Sequence, residues 1–295
     1  MMTLKQFYKY YEKDIEKSIL SALKEDKYTD DITTKTLFKG RDSKITAAEL
    51  ICKEVCLLAG TDIFKKVFSL IYPDTKYKIY YKDGDAVDKG NKILNVYAPI
   101  TFLLSGERTA LNFLQRMSGV ATLTNRFFKM LKYKNAKILH TRKTTPNFRL
   151  FELAAVKIGG GEFHRLDLSS YVMVKDNHIE ALGGIEDTLK IAFSQKLKSK
   201  QKHNFEVEVK TLGELQLILD NYSNNVRVVM LDNFKTDEIG KAVKLLKKHN
   251  IKIELSGGIN LKNFNILQSE GIDYYSIGAL THGYKSIDFS LEFIH

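Results

Sequence analysis

The chain has 295 residues, 44% of them hydrophobic, and carries a formal charge of +11 from 46 Lys+Arg against 35 Asp+Glu. That length buries a substantial core, as one large domain or as a large and a small one. No apolar run approaches the roughly 20 residues that span a bilayer, and the opening MMTLKQFYKYYEKDIEKSIL lacks the apolar core and cleavage site of a signal peptide, so a cytoplasmic setting is expected.

A helical opening runs to about Leu23 and is followed by EDKYTDDITTKTLF. Strand candidates ITAAELICKE, YKIYYKDGDAV and KILNVYAPI then alternate with the helix-like GTDIFKKVFSLIY, which predicts a small N-terminal α/β sandwich over residues 1–112. Cys52 and Cys56 have neither nearby histidines nor a second cysteine pair, so reduced, buried thiols are expected rather than zinc ligation or a disulfide. After residue 136 the pattern changes. Short β-rich runs at 137–141, 171–177, 205–210, 226–233, 251–258 and 274–280 alternate with helical segments such as PNFRLFELAAVKI, IEDTLKIAFSQKL, LGELQLILDNY, TDEIGKAVKLLKKH and NLKNFNILQSEG. This alternation predicts a parallel α/β architecture over residues 113–282, with 283–295 available to pack back on the sandwich. A barrel is preferred over an open sheet because polar residues gather at the C-terminal ends of nearly every run.

Period 2 puts Glu206 and Glu208 of FEVEV on one face and Phe205, Val207 and Val209 on the other. In a βα barrel the carboxylates then point inward, where branched aliphatics normally fill the core, and they require partners. Asp232 and Glu254 repeat the placement on the next two runs. Opposing them are Arg142, Lys143, His164, Arg165 and Lys175 at run ends or loops, so the predicted mouth has acids on one side and bases on the other. Ser256-Gly257-Gly258 and Gly278-Ala279-Leu280-Thr281-His282 are either plain turns or a phosphate cradle, which the last loops of such barrels often form. Gly159-Gly160-Gly161 is either a helix stop or a point of close approach to a ligand. Of the seven histidines, His203, His249 and His295 lie in surface-like or terminal positions, and no two have metal-ligand spacing. No nucleophile motif suggests covalent catalysis. The lysines of 196–203 and 244–249 fall on polar helix sides without interleaved aromatics, which argues for solvated faces rather than a nucleic-acid surface.

The motifs GERTALNFLQRMSGVAT (106–122), TRKTTP (141–146), GGGEFHR (159–165), KDNHI (175–179), EVEV (206–209), LDNF (231–234), SGGI (256–259) and GALTH (278–282), together with EDKYTDDITT (25–34), resemble the quinolinate phosphoribosyltransferase family in order and spacing over nearly the whole chain. The resemblance implies an N-terminal sandwich and an open, incomplete α/β barrel, paired head to tail in a homodimer with shared sites, or assembled further into a hexamer. It implies transfer of phosphoribose from phosphoribosyl pyrophosphate to quinolinate with loss of CO2, yielding nicotinate mononucleotide for NAD biosynthesis. By the same resemblance Thr141, Arg142, His164, Arg165 and Lys175 hold quinolinate and a neighbouring subunit supplies Arg108. Lys143, Glu208 and Asp232 are the catalytic set, and Lys143, Lys175, Glu208, Asp232, Ser256, Gly257, Gly258, Ile277, Gly278, Ala279 and His282 receive the phosphoribosyl donor. Mg²⁺ is implied, bound mainly by donor phosphates and secondarily by Glu208 and Asp232. A paralogous group associated with molybdenum transport shares the fold and the TRK and HR motifs and is the alternative; KDNHI favours the quinolinate enzyme. The chain departs from the family's usual residues at His140, where aspartate is common, at Asn147, often glycine, and at Phe163, usually asparagine.

Overall fold

The computed structural model describes residues 2–40, 44–198 and 205–294, so His203, His295 and part of the lysine-rich stretch 196–203 lie outside it. The strands are β1 Ile45–Cys52, β2 Cys56–Leu57, β3 Lys76–Ile79, β4 Ala86–Val87, β5 Lys92–Pro99, β6 Lys137–Leu139, β7 Val172–Val174, β8 Phe205–Val209, β9 Val226–Asp232, β10 Lys252–Ser256, β11 Tyr274–Ser276 and β12 Phe289–Phe293. Two compact units result. One comprises Met1–Arg126, Thr144–Gly161 and Leu280–His295; the other comprises Phe127–Lys143 and Glu162–Ala279. The division expected at residue 112 falls inside a 31-residue helix, Ile100–Met130, and the two units exchange segments of chain.

In the first unit an antiparallel sheet runs in the order β12-β1-β5-β3. Alternation along β1 buries Ala48, Leu50 and Cys52, and the chain's final strand returns to pair with it from Ala48 opposite Phe293 to Cys52 opposite Phe289. Helix Glu12–Glu25 buries Ile15, Ile19 and Leu23 at i, i+4 and i+8, a single apolar stripe. Cys52 and Cys56 are free and buried, with sulfurs 3.7 Å apart.

Helix Arg149–Ile158 also belongs to this unit, and the loop before it is pinned from several sides. The Thr145 backbone N–H and hydroxyl donate to the two oxygens of fully buried Glu152 at 2.9 and 2.8 Å, and Arg116 donates to the same hydroxyl at 2.9 Å. The Arg116 guanidinium in turn lies 5.0 Å from the Phe148 ring and 5.5 Å from that of Tyr284, within cation–π range. The glycine triplet ends the helix. A Cβ at Gly159 would lie 2.6 Å from the Ala121 carbonyl oxygen and from Thr124 Cβ, so close packing of two chain segments demands glycine there.

The second unit is a six-stranded, all-parallel sheet in the order β6-β11-β10-β9-β8-β7. The first strand in sequence pairs with the last, as in a barrel, but β6 and β7 do not pair. Among the described residues only an isolated bridge, Leu139 to Glu162, continues the pairing beyond β6, so the barrel is open. All five residues of β8 are buried, the mark of a strand covered on both faces. The segment NLKNFNILQSEG forms a helix only over Phe264–Leu267. Asn260 and Asn263 explain the shortfall: the Asn260 side chain accepts from the backbone of Lys262 and Asn263, and Asn263 accepts from the Asn260 N–H, a turn that competes with helix.

Asn147 has φ of +61°, the left-handed region that asparagine tolerates and β-branched residues do not. Asn147→Val should therefore destabilise the protein by about 1–2 kcal/mol, whereas Asn147→Gly should be neutral within a few tenths. Equal melting midpoints for the Val and Gly variants in thermal unfolding would refute the strain.

Candidate active site at the strand ends

Of the charged residues that the sequence assigned to the predicted mouth of the second unit, Arg142, Lys143 and Lys175 follow a parallel strand and Asp232 ends one, whereas Glu206, Glu208 and Glu254 lie within β8 and β10, and His164 and Arg165 precede β7. Because β6 stops at Leu139, the stretch His140–Lys143 is already loop, and the alternation that would send neighbours 142 and 143 to opposite faces no longer applies. Arg142 and Lys143 are both exposed, and the Lys143 N–H donates to Thr141 Oγ1 at 3.1 Å. Lys175 follows β7 and forms an ion pair with Glu208, whose carboxylate is nearly buried. Beyond β8, Lys210 pairs with Asp176 at 2.8 Å and holds that carboxyl below its usual range. Asp232 ends β9 half-buried, its Oδ2 accepting from the Asn233 amide at 2.7 Å.

The two glycine loops differ in what they require. Gly257 has φ of +92°, and a Cβ there would meet Asn233 Oδ1 at 2.4 Å, while the Asn233 N–H donates to the Ser256 carbonyl at 3.0 Å. The Ser256–Gly258 loop thus folds directly against the residue that follows Asp232. After β11, the buried Ile277 donates its N–H to the Leu139 carbonyl at 3.1 Å, which ties the Gly278–Ala279 turn to the end of β6. Arg108 and His282 lie in the first unit, both exposed, on helices Ile100–Met130 and Ala279–His282.

Deeper in the barrel, His164 Nε2 faces three oxygens: the Tyr171 hydroxyl at 2.6 Å, Glu206 Oε2 at 3.3 Å and Glu254 Oε2 at 3.4 Å. Burial alone would lower the imidazole's pKa, but the charges of Glu254 and Glu206 outweigh it and hold His164 above its ordinary value. Fully buried Glu254 is pushed up to about 7 by burial and by the neighbouring Glu206 charge, against the pull of His164. Burial and the Glu206 charge likewise raise Tyr171. His164, Glu206 and Glu254 offer ligand atoms within 4.8 Å of one another, the spacing of a metal site, and the same two acids favour the charged form of the imidazole between them. Arg165, only 7% exposed, leaves its Nε without a hydrogen-bond partner among the described residues. Tyr171 is the member that sequence reading missed, although it shares the period-2 face of Lys175 in the run YVMVK.

A barrel mouth with cations on one flank, fixed carboxylates on the other and glycine turns at its last strands defines an α/β-barrel enzyme that handles anionic small molecules. Two family models match the chain: the quinolinate phosphoribosyl transferase N-terminal domain over residues 31–118 and its C-terminal domain over residues 120–292. A probable nicotinate-nucleotide pyrophosphorylase [carboxylating] of Bacillus subtilis is 38% identical over 91% of this chain and 89% of its own length. A quinolinate phosphoribosyltransferase [decarboxylating] of Nicotiana tabacum is 36% identical over 83% and 72%. Among solved structures, NadC from Streptococcus pyogenes superposes with a TM-score of 0.86 at 35% identity, covering 95% of this chain and 97% of that one. The nicotinate-nucleotide pyrophosphorylase from Francisella tularensis gives 0.84 at 33% identity, covering 96% of each. The chain belongs to the quinolinate phosphoribosyltransferase family.

The His164 pair gives a direct test. A histidine whose folded pKa is raised contributes stability below its unfolded pKa, near 6.5, and loses it as pH rises through the folded value. Glu254→Gln removes the larger of the two raising charges, so His164 should titrate at lower pH in this variant when followed by NMR. An unchanged His164 titration would remove Glu254 as the source.

Proposed function

We infer that this chain catalyses the reaction of its family: phosphoribosyl transfer from phosphoribosyl pyrophosphate to quinolinate with decarboxylation, giving nicotinate mononucleotide, pyrophosphate and CO2. The observation that carries the reading is the pairing of a cationic flank, His164, Arg165 and Lys175, with the carboxylates Glu208 and Asp232 at one barrel mouth. Quinolinate has two adjacent carboxylates, and arginine's planar fork with additional cations suits such a dianion. We assign Thr141, Arg142, His164, Arg165 and Lys175 to quinolinate, with Arg108 from a second subunit. Lys143 lies between the two substrates in this reading. Ser256–Gly258 and Ile277–Ala279 receive phosphate through backbone N–H groups.

As pyrophosphate departs, the ribosyl carbon takes on oxocarbenium character, and fixed carboxylates from Glu208 and Asp232 stabilise that charge without forming a bond to it. The ribosylated ring nitrogen is then cationic and stabilises the carbanion left when the adjacent carboxyl leaves as CO2. Magnesium suits these residues: it keeps most of its waters and takes one or two carboxylates, and Asp232 is half-buried with one oxygen already oriented by Asn233. Glu208 is the weaker candidate because Lys175 already neutralises it. When bound, the ion would neutralise donor phosphates. The free cysteine pair fits a reducing, cytoplasmic compartment. No helix among the described residues is long and apolar enough to cross a membrane. The molybdenum-associated alternative loses ground, since the relatives named above carry quinolinate or nicotinate-nucleotide names. Purified protein should release CO2 and nicotinate mononucleotide from the two substrates together; product from neither would sink the assignment.

Asp232→Asn should lower turnover on the order of 10²-fold while changing quinolinate binding little, because the lost charge acts on the transition state. Glu208→Gln should lower turnover too, but it also unpairs Lys175, so its effect on binding is mixed. Near-wild-type kcat in Asp232→Asn would take that residue out of the mechanism.

The shared-site reading predicts complementation. Mixing an Arg108→Ala chain with a Lys143→Ala chain creates mixed dimers in which one site has both groups intact and the other neither. With random exchange about half the dimers are mixed and half of their sites work, so activity should approach roughly a quarter of wild type. Confirmed subunit exchange without recovered activity would place Arg108 in its own chain's chemistry or in folding alone.

A further inference from the structure

His140 takes no part in the reading above, yet it is fully buried and touches the backbone of the substrate flank. Strand β6 ends at Leu139, and the segment entering the barrel at Glu162 runs beside it. Glu162 donates its N–H to the Ile138 carbonyl at 2.8 Å, and two residues on His164 donates its N–H to His140 Nε2 at 3.0 Å. The spacing of two is that of a strand ladder. Where the backbone of β6 has turned away, an imidazole nitrogen supplies the next rung. Because Nε2 accepts, the ring's proton is on Nδ1, which faces the Thr141 carbonyl at 3.3 Å. The Phe163 ring meets His140 edge to face at 6.3 Å and limits its rotation. On the far side, Tyr171 and Glu206 hold the His164 imidazole.

We propose that His140 is a positioning residue: as the neutral Nδ1–H tautomer it fixes the backbone of His164 and so aims the His164–Arg165 pair at a dicarboxylate substrate. The inference rests on the assignment of that pair to quinolinate. A histidine that merely filled space would be replaceable by an apolar side chain. One that supplies an acceptor would be replaceable only by a group whose acceptor stands where Nε2 does. Glutamine meets that need, with its amide oxygen near the Nε2 position and its NH2 able to reach the Thr141 carbonyl. Leucine leaves the His164 N–H buried and unpaired.

The test compares His140→Leu, His140→Gln and Arg165→Ala in steady-state kinetics, varying each substrate separately. His140→Leu should raise the quinolinate KM about tenfold, the effect of one unmade buried hydrogen bond. The phosphoribosyl pyrophosphate KM should change less than about twofold, as expected for uniform loss of binding to one substrate. His140→Gln should restore the wild-type quinolinate KM. If Arg165→Ala weakens quinolinate but His140→Leu does not, His140 has no positioning role. An Arg165→Ala variant with unchanged quinolinate KM overturns the clamp itself, and with it this inference. Should neither His140 variant fold, ¹⁵N NMR of histidine-labelled wild type decides: a pyrrole-type Nδ1 and pyridine-type Nε2 support the proposal, and the opposite tautomer or an imidazolium overturns it.

Discussion

The governing constraint in this molecule is the solvation of carboxylates inside a parallel barrel. Glu206, Glu208 and Glu254 occupy positions that branched aliphatics would otherwise fill, and each is no more than 5% exposed. An isolated buried carboxylate either finds a cation or takes up a proton. The three acids find both solutions. Glu208 pairs with Lys175 at the rim, Glu206 shares His164 and Tyr171, and Glu254 has its carboxyl pKa raised so far that a proton is readily available to it near neutrality. Lys175 and His164 are therefore held by these same acids.

That interdependence explains why the supporting contacts are polar rather than apolar. An aliphatic core would give the barrel equal or greater stability, since buried ion pairs seldom outperform well-packed side chains. What it would not provide is orientation. His164 has its backbone held by His140 and its ring held by Tyr171 and Glu206, while the loop carrying Thr145, two residues after Lys143, is fixed by Glu152 and Arg116. Such second supports fix polar side chains, because an exposed arginine or lysine otherwise samples many rotamers.

Much of this was legible in the sequence, for reasons that can be named. Period 2 in FEVEV and the recurrence of acids on successive runs marked the interior carboxylates, because alternation is enforced by backbone geometry. The βα alternation identified the parallel sheet, because parallel strands require crossover connections, and the polar residues at the run ends pointed to a barrel. Partners across the barrel were not legible. Nothing in the spacing of His164, Glu206 and Glu254 reveals that their ends meet, since three separate chain segments set that distance. Unit membership was also hidden: helix Arg149–Ile158 has the pattern of a barrel helix but clusters with the first unit. The short Phe264–Leu267 helix escaped because asparagine side chains competed locally for the backbone. Asn147 illustrates the intermediate case. Its identity permits a left-handed conformation, but only the folded structure shows that it adopts one.

The pairing of opposite charges within the site also governs how substitutions there should be interpreted. Removing Glu208 does not simply delete a carboxylate: Lys175 loses its partner, and a 40%-exposed ammonium is free to reorient. Removing Lys175 leaves a carboxylate only 5% exposed, a costlier defect than the loss of the contact itself. The two single variants thus measure different quantities, and their sum exceeds the coupling between the groups. The double variant, with neither charge, should be less perturbed structurally than Lys175→Ala alone, since no buried charge remains unpaired. Only the complete cycle separates the worth of the pair from the penalty of breaking it. The same reasoning extends inward to His164: removing the imidazole would leave two buried carboxylates side by side, a larger defect than removing either carboxylate alone.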